Sequence, residues 1–260
     1  MVTRWQSFQW PLSCLVVGAS GGVGLAMVER LLDDPLTEVV FAAARTVHRS
    51  QRLVTLQEAE PERLVLVSMD ITDEASIERG LVDIKQRTDR LDLVLNTVGV
   101  LHEEGTSFGP EKRLKDVNIQ HLLRSFEVNV SGHLLLIKHV HRMLPREGKS
   151  VLASLSARVG SIGDNRLGGW YGYRASKAAL NQVMRTVSIE VARTRSEAIC
   201  VVLHPGTVDT QLSRPFQGNV PEGKLFGAEQ SAGYLLDVVD GLDASDTGMF
   251  FDWAGEVVEW

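Results

Sequence analysis

Ser13-Cys14-Leu15-Val16-Val17-Gly18-Ala19-Ser20-Gly21-Gly22-Val23-Gly24 runs a short apolar segment straight into a glycine cluster. An apolar run closed by glycine reads as a buried strand over residues 13–17. Residues 23–32 follow with helical spacing and stop at Asp33-Asp34-Pro35. A strand that turns through glycines into a helix leaves backbone amides pointing outward at the helix start. There they can meet a pyrophosphate, and glycines let the backbone come close to it. The spacing of Gly18, Gly22 and Gly24 is G-x-x-x-G-x-G rather than G-x-G-x-x-G.

Working outward, strands and helices alternate to the end of the chain. Apolar strands are expected at 39–44, 64–68, 91–95, 150–155, 198–203 and 249–251. Helices are expected at 72–87, 119–143, 171–193 and 228–239. Thr72-Asp73-Glu74-Ala75 has the residues of a capped helix start. Strands that are apolar throughout and separated by helices imply a parallel sheet covered on both faces. Right-handed crossovers then give an α/β doubly wound Rossmann architecture, a mostly parallel seven-stranded sheet in one domain over 1–260. Two long loops stand out, 100–118 and 211–227. The second follows the sixth strand at the carboxyl edge, where ligands bind, and is placed to act as a substrate lid.

The 27 basic and 33 acidic residues give a net charge of −6, so no concentrated basic face for nucleic acid is expected. The cationic run Lys138-His139-Val140-His141-Arg142 reads as a solvated helix end, favoured there by the helix dipole. Cys14 and Cys200 lie in apolar strands and read as buried thiols rather than a disulfide. Residues 1–10 show no leader pattern and no apolar stretch has the length of a membrane span, which makes the cytoplasm the expected location.

Chemistry concentrates in Tyr173-Arg174-Ala175-Ser176-Lys177. Positions i and i+4 share one helix face, so a phenol and an ammonium stand side by side. A neighbouring cation is expected to lower the phenol's pKa by favouring the phenolate. The three histidines His133, His139 and His141 lie along one helix, with no carboxylate in the local sequence to complete a metal site. His102-Glu103-Glu104 reads as a polar loop, and Trp253 and Trp260 as packing or interface residues.

Taken together, these motifs resemble the short-chain dehydrogenase/reductase superfamily over nearly the whole chain. Gly18, Gly22 and Gly24 match its glycine motif, although Val17 stands where threonine is usual. Met69-Asp70-Ile71-Thr72 resembles its adenine-contacting Asp segment, and Asn96-Thr97-Val98-Gly99 its Asn-Asn-Ala-Gly motif. Tyr173 and Lys177 match its Tyr-x-x-x-Lys, and His204-Pro205-Gly206-Thr207-Val208-Asp209-Thr210 its Pro-Gly segment. The stretches 156–165 and 168–174, with the ending Phe250-Phe251-Asp252-Trp253, resemble the C-factor/sniffer-like carbonyl reductase branch.

The resemblance implies hydride transfer between a nicotinamide cofactor and a carbonyl or alcohol substrate. Tyr173 is then the proton donor, Lys177 its partner on the nicotinamide ribose, and Asn129 a link from Lys177 toward solvent. A serine that binds the substrate oxygen is also implied, but Ala157 occupies the family's usual place before Gly160. Ser156 is assigned that role, with Ser154 and Ser161 as alternatives. The implied cofactor contacts are Gly18, Ser20, Gly22, Val23, Gly24, Arg45, Asp70, Ile71, Asn96, Val98, Gly99, Tyr173, Lys177, Pro205, Gly206, Val208 and Thr210. The second strand ends Ala42-Ala43-Ala44-Arg45-Thr46, with no carboxylate and one guanidinium suited to a 2′-phosphate, which favours NADP(H) over NAD(H). Relatives also suggest a homodimer or homotetramer, and Asp164, Asn165 and Arg166 are expected to wall the substrate mouth. The rival expectation is an NADP-binding signalling or sensor protein of the same fold with little turnover.

Overall fold

The computed structural model describes residues 3–8 and 11–260, so the reading of residues 1–10 falls partly outside it. Seven parallel strands form the main sheet, lying side by side in the order 64–68, 37–44, 12–17, 93–96, 150–155, 198–204 and 250–252. They are β1 (Leu12–Val17), β2 (Thr37–Ala44), β3 (Leu64–Ser68), β4 (Leu93–Asn96), β5 (Ser150–Leu155), β6 (Ala198–His204) and β9 (Phe250–Asp252). A small parallel pair, β7 (Thr207–Val208) and β8 (Leu225–Phe226), brackets the expected lid. Strand order reverses between β1 and β4, the crevice where doubly wound sheets bind ligands.

The alternation of side chains along β1 builds two cores. Leu12, Cys14 and Val16 face α1 (Gly22–Leu32) and α7 (Ala228–Gly241). Leu15 and Val17 face the side covered by α3 (Glu74–Lys85), α5 (Gly132–Val140) and α6 (Tyr171–Ala192). The central strands are buried on both faces, which is why they read as continuous apolar runs. Cys14 and Cys200 are buried, free and on opposite faces of the sheet. No helix among the described residues is long and apolar enough to cross a membrane.

Two departures from expectation have physical causes. The helix α2 (Gln51–Ala59) went unread because only Leu53 in it is buried, leaving little apolar periodicity to see. The stretch expected as one helix over 119–143 is instead α4 (Ile119–Phe126), a π turn at Glu127–Ser131, α5 and a 3-10 turn at His141–Met143. The helix α3 starts where expected, with Asp73 as its cap accepting from the Ala75 amide.

The central strands are laced together by a buried carboxylate. Asp92 accepts from the Ser13 amide at 3.0 Å through Oδ2 and from Arg90 Nε at 2.7 Å through Oδ1. Its own amide donates to Ser13 O, and its carbonyl accepts from the Val151 amide, so one residue joins β1, β4 and β5. Asp92→Ala leaves the buried Ser13 amide without that acceptor and is expected to cost about 2–4 kcal/mol. Urea denaturation checks this, and a loss below about 0.5 kcal/mol would contradict it.

Candidate active site

The glycine turn leaves β1 and enters α1 with Gly18 at φ 88° and Gly22 at φ 54°, left-handed conformations that favour glycine. A Cβ on Gly24 would lie 2.3 Å from Gly18 O, so the helix can sit this close to the strand only without one. Gly21 gives the first turn of α1 no side-chain cap, and the turn contains no acidic residue. The first-turn amides of Gly22, Val23 and Gly24 are therefore left for an anion. Ser20 is exposed on the same turn, its carbonyl 3.5 Å from Ser50 Oγ.

The other expected cofactor residues gather along the carboxyl edge. Arg45 is exposed just past β2 and makes no ion pair among the described residues. Asp70 is half-buried and its Oδ1 accepts from the amide and hydroxyl of Thr72, while Ile71 packs against Gly132. Asn96 ends β4 with Oδ1 accepting from the Val98 amide, and its buried Nδ2 has no partner among the described residues. Such an unused donor at the crevice, beside an uncapped helix start, fits a dinucleotide with its many acceptors. Pro205 O accepts from Ser231 Oγ, and Gly206 lies against Phe226 and Trp253. Val208 O accepts from Ser213 Oγ. Thr210 reaches back to the glycine turn, its Cγ2 3.1 Å from where a Cβ of Gly22 would stand. The two ends of the expected cofactor segment thus meet.

Two of the expected proton-transfer residues, Lys177 and Asn129, converge around Gly99. A Cβ there would lie 3.4 Å from Lys177 Nζ and 3.6 Å from Asn129 Oδ1. Asn129 sits in the π turn, fully buried, with Oδ1 accepting from the Val100 amide. Its Nδ2 donates to Val100 O at 2.9 Å and to Ser176 Oγ at 3.1 Å. Lys177, 3% exposed, donates to Leu155 O at 2.9 Å, and its Nζ stands 5.9 Å from the centre of the Tyr173 ring.

The expectation that the ammonium lowers the phenol's pKa is not met. Burial pushes Tyr173 up and Lys177 down to about 7. Both groups are taken out of water, and desolvation disfavours the phenolate and the ammonium alike. Lys177 Nζ also spends its hydrogen bond on Leu155 O.

The three candidate serines are all buried but differently engaged. Burial holds His133 neutral with a pKa of about 3, and its Nε2 donates to Val98 O at 3.0 Å. Its Nδ1 is then an acceptor, so Ser154 Oγ, 3.2 Å away, commits its proton to His133. Ser156 Oγ donates to Asn181 Oδ1 at 2.6 Å, two turns beyond Tyr173 on α6. Ser161 Oγ accepts from the Asp164 amide.

Ser176, Asn181 and His133 were not singled out as site residues in the sequence. Their signal was spacing, at i+3 and i+8 from Tyr173 and i+4 from Asn129. The half-buried His139 does meet a carboxylate, one brought from another helix. Its Nε2 lies 2.7 Å from Glu74 Oε1, with Glu78 close by. Lys138 Nζ sits 2.6 Å from the same oxygen, so the cluster is an ion pair joining α3 to α5.

Comparison with known proteins shows the family. Residues 13–220 match the family model described as short chain dehydrogenase. The chain belongs to the short-chain dehydrogenase family. A 1-hydroxy-2-glutathionyl-2-methyl-3-butene dehydrogenase of Rhodococcus sp. is 30% identical over 95% of this chain and 98% of its own length. The C-signal protein of Myxococcus xanthus is 33% identical over 66% of this chain and 95% of its own. Among solved structures, the NADPH-bound carbonyl reductase from chicken fatty liver superimposes with a TM-score of 0.84 at 29% identity, covering 97% of this chain and all of that one.

The inverted pKa order has a measurable consequence. Lys177 takes up a proton below about 7 when folded but near its ordinary value of about 10.4 when unfolded. Between those values the unfolded chain binds more protons, so stability rises with pH. Measured between pH 7 and 9.5, wild type is expected to gain on Lys177→Met by up to about 1.4 kcal/mol per pH unit. Taking the difference cancels the thiols of Cys14 and Cys200, which both proteins share. Parallel stability profiles would contradict the buried lysine.

Proposed function

We propose that this protein is an NADPH-dependent carbonyl reductase, converting an aldehyde or ketone to an alcohol. The observation that carries the reading is the buried pair Lys177 and Asn129 closing on Gly99 at the strand-order reversal, with the buried Tyr173 ring 5.9 Å from Lys177 Nζ. Bound cofactor supplies the hydride that adds to the carbonyl carbon. Tyr173 gives its phenolic proton to the oxygen as negative charge develops there. Burial keeps that phenol protonated across the neutral range, which suits a donor. Lys177, titrating near neutrality and braced by Leu155 O, is a buried group able to return a proton to Tyr173. Asn129 holds the Val100 peptide on one side and Ser176 on the other, and so fixes the spacing of π turn and catalytic helix.

Ser156 is the serine we assign to the substrate oxygen. The Ser154 hydroxyl is engaged in donating its hydrogen bond to His133. Asn181 Nδ2 is buried without a partner among the described residues. Turning that amide end for end lets Nδ2 donate to Ser156 Oγ and releases the serine proton toward a substrate. The expected cofactor contacts, from Gly18 to Thr210, hold the dinucleotide along the edge described above. Exposed Arg45 is assigned to the 2′-phosphate that distinguishes NADP(H).

The apolar side chains left exposed on α4 and α6, Ile119, Leu123 and Ile189, support assembly into a homodimer or homotetramer. Leu134 joins them, whereas Leu136 and Ile137 belong to the core. The two free thiols are in keeping with a reducing cytoplasm.

With NADPH and a panel of aldehydes and ketones, Tyr173→Phe is expected to lower kcat by on the order of 10^3-fold. Ser156→Ala should lose about 10^2-fold, and Ser154→Ala much less. Tight NADPH binding with no turnover by wild type would favour the sensor reading instead. Arg45→Ala should weaken NADPH about 10-fold or more and leave NADH unaffected. An equal effect on both cofactors would remove the assignment of Arg45.

A further inference from the structure

The residue that opens the catalytic helix is held in an unfavourable conformation. Gly168, Gly169 and Trp170 are consecutive left-handed residues, with φ of 63°, 67° and 53°. Glycine occupies the first two, and Trp170 is the one non-glycine with positive φ among the described residues. For a bulky side chain this is a rare and costly state, kept only where surrounding contacts over-determine it. Those contacts are present. The Trp170 amide donates to Glu111 O at 2.5 Å, and buried Glu111 Oε2 accepts from the Gly172 amide at 3.1 Å. Glu111 thus clamps the first turn of α6 from the 100–118 loop.

A third glycine would fit the backbone at lower cost, so the indole itself is the feature retained. Its surroundings show what it is for. The indole meets the Tyr173 ring edge-on at 6.2 Å between centroids and the Phe216 ring at 5.0 Å. Phe216 belongs to the 211–227 segment and packs in turn on His102 at 5.7 Å. His102 Nε2 donates to Gln211 O at 3.1 Å. Leu212 of the same segment comes within 3.9 Å of the Cβ position of Gly99. A continuous aromatic wall therefore runs from the expected proton donor to the lid. Trp170 and Phe216 are only half-buried and keep surface to offer. Asp164, Asn165 and Arg166, expected to wall the substrate mouth, are exposed.

We propose that Trp170 is the specificity-determining residue of this site and selects carbonyl compounds that carry an aromatic ring next to the carbonyl group. The ring packs against the Trp170–Phe216 wall, which sets the carbonyl oxygen beside the Tyr173 hydroxyl. This rests on the reading of Tyr173 as proton donor, but its recognition half is measurable without turnover.

The test compares acetophenone with cyclohexyl methyl ketone, which has the same carbon skeleton without the π system. Wild type and Trp170→Gly are compared by calorimetric binding in the presence of NADP+, by KM with NADPH, and by melting temperature. Wild type is expected to favour acetophenone by about 10-fold, the scale of one good aromatic contact. Trp170→Gly should lose that preference while its melting temperature holds or rises, since glycine relieves the backbone strain. A preference that survives in Trp170→Gly, or is missing from wild type, overturns the proposal. So does a variant that binds both ketones equally badly and melts lower, because Trp170 would then be a packing residue. Failure of the catalytic reading shows separately, as undiminished turnover in Tyr173→Phe with the binding preference intact.

Discussion

The site is organised around the burial of Lys177. A lysine at 3% exposure has left water, and an unmet ammonium costs several kcal/mol in such surroundings. Close backbone approach makes the burial possible. The 3-10 turn at Arg158–Gly160 lies directly on α6, and a Cβ on Gly160 would stand 2.8 Å from Lys177 Cβ. Gly99 clears space on the other side, and Leu155 O supplies the acceptor at the last residue of β5. Gly160 is thus explained by packing, independently of which serine precedes it.

Asn129 shows how backbone irregularity places a side chain. In a regular helix an internal asparagine is disfavoured because its amide competes for backbone groups. Here the helix widens into a π turn at Asn129, and the amide closes a two-point bond with the Val100 peptide. Single π turns inside α-helices are frequent at functional sites. One helix turn on, His133 bridges Val98 O and Ser154, so the same bulge sets up the group that occupies the rival serine.

What was legible in the sequence was whatever local pattern determines. Strands buried on both faces showed as apolar runs, and β3 and β5 were read to the residue. The Tyr173–Lys177 spacing and the glycine turn were legible because helix period and turn chemistry are short-range. The π turn was hidden, because Glu127–Ser131 differs in backbone winding and leaves the apolar spacing almost unchanged. Helix α2 was hidden because its surface is mostly polar. The aromatic wall needed three segments far apart in sequence, at His102, Trp170 and Phe216, and no local motif joins them.

The pKa order departs from the spacing-based expectation for a related reason. Spacing showed that phenol and ammonium are neighbours, but burial, which depends on the whole fold, decides the sign. In water the Coulomb attraction of a neighbouring ammonium, about 1 kcal/mol at 4 Å, would draw the phenol's pKa down slightly. With both groups buried and Nζ turned to Leu155 O, desolvation outweighs it and favours the neutral pair. A neutral phenol beside a lysine balanced near pH 7 is loaded to give a proton rather than to take one. The same burial that makes Lys177 costly to fold therefore also sets the protonation state of its neighbour.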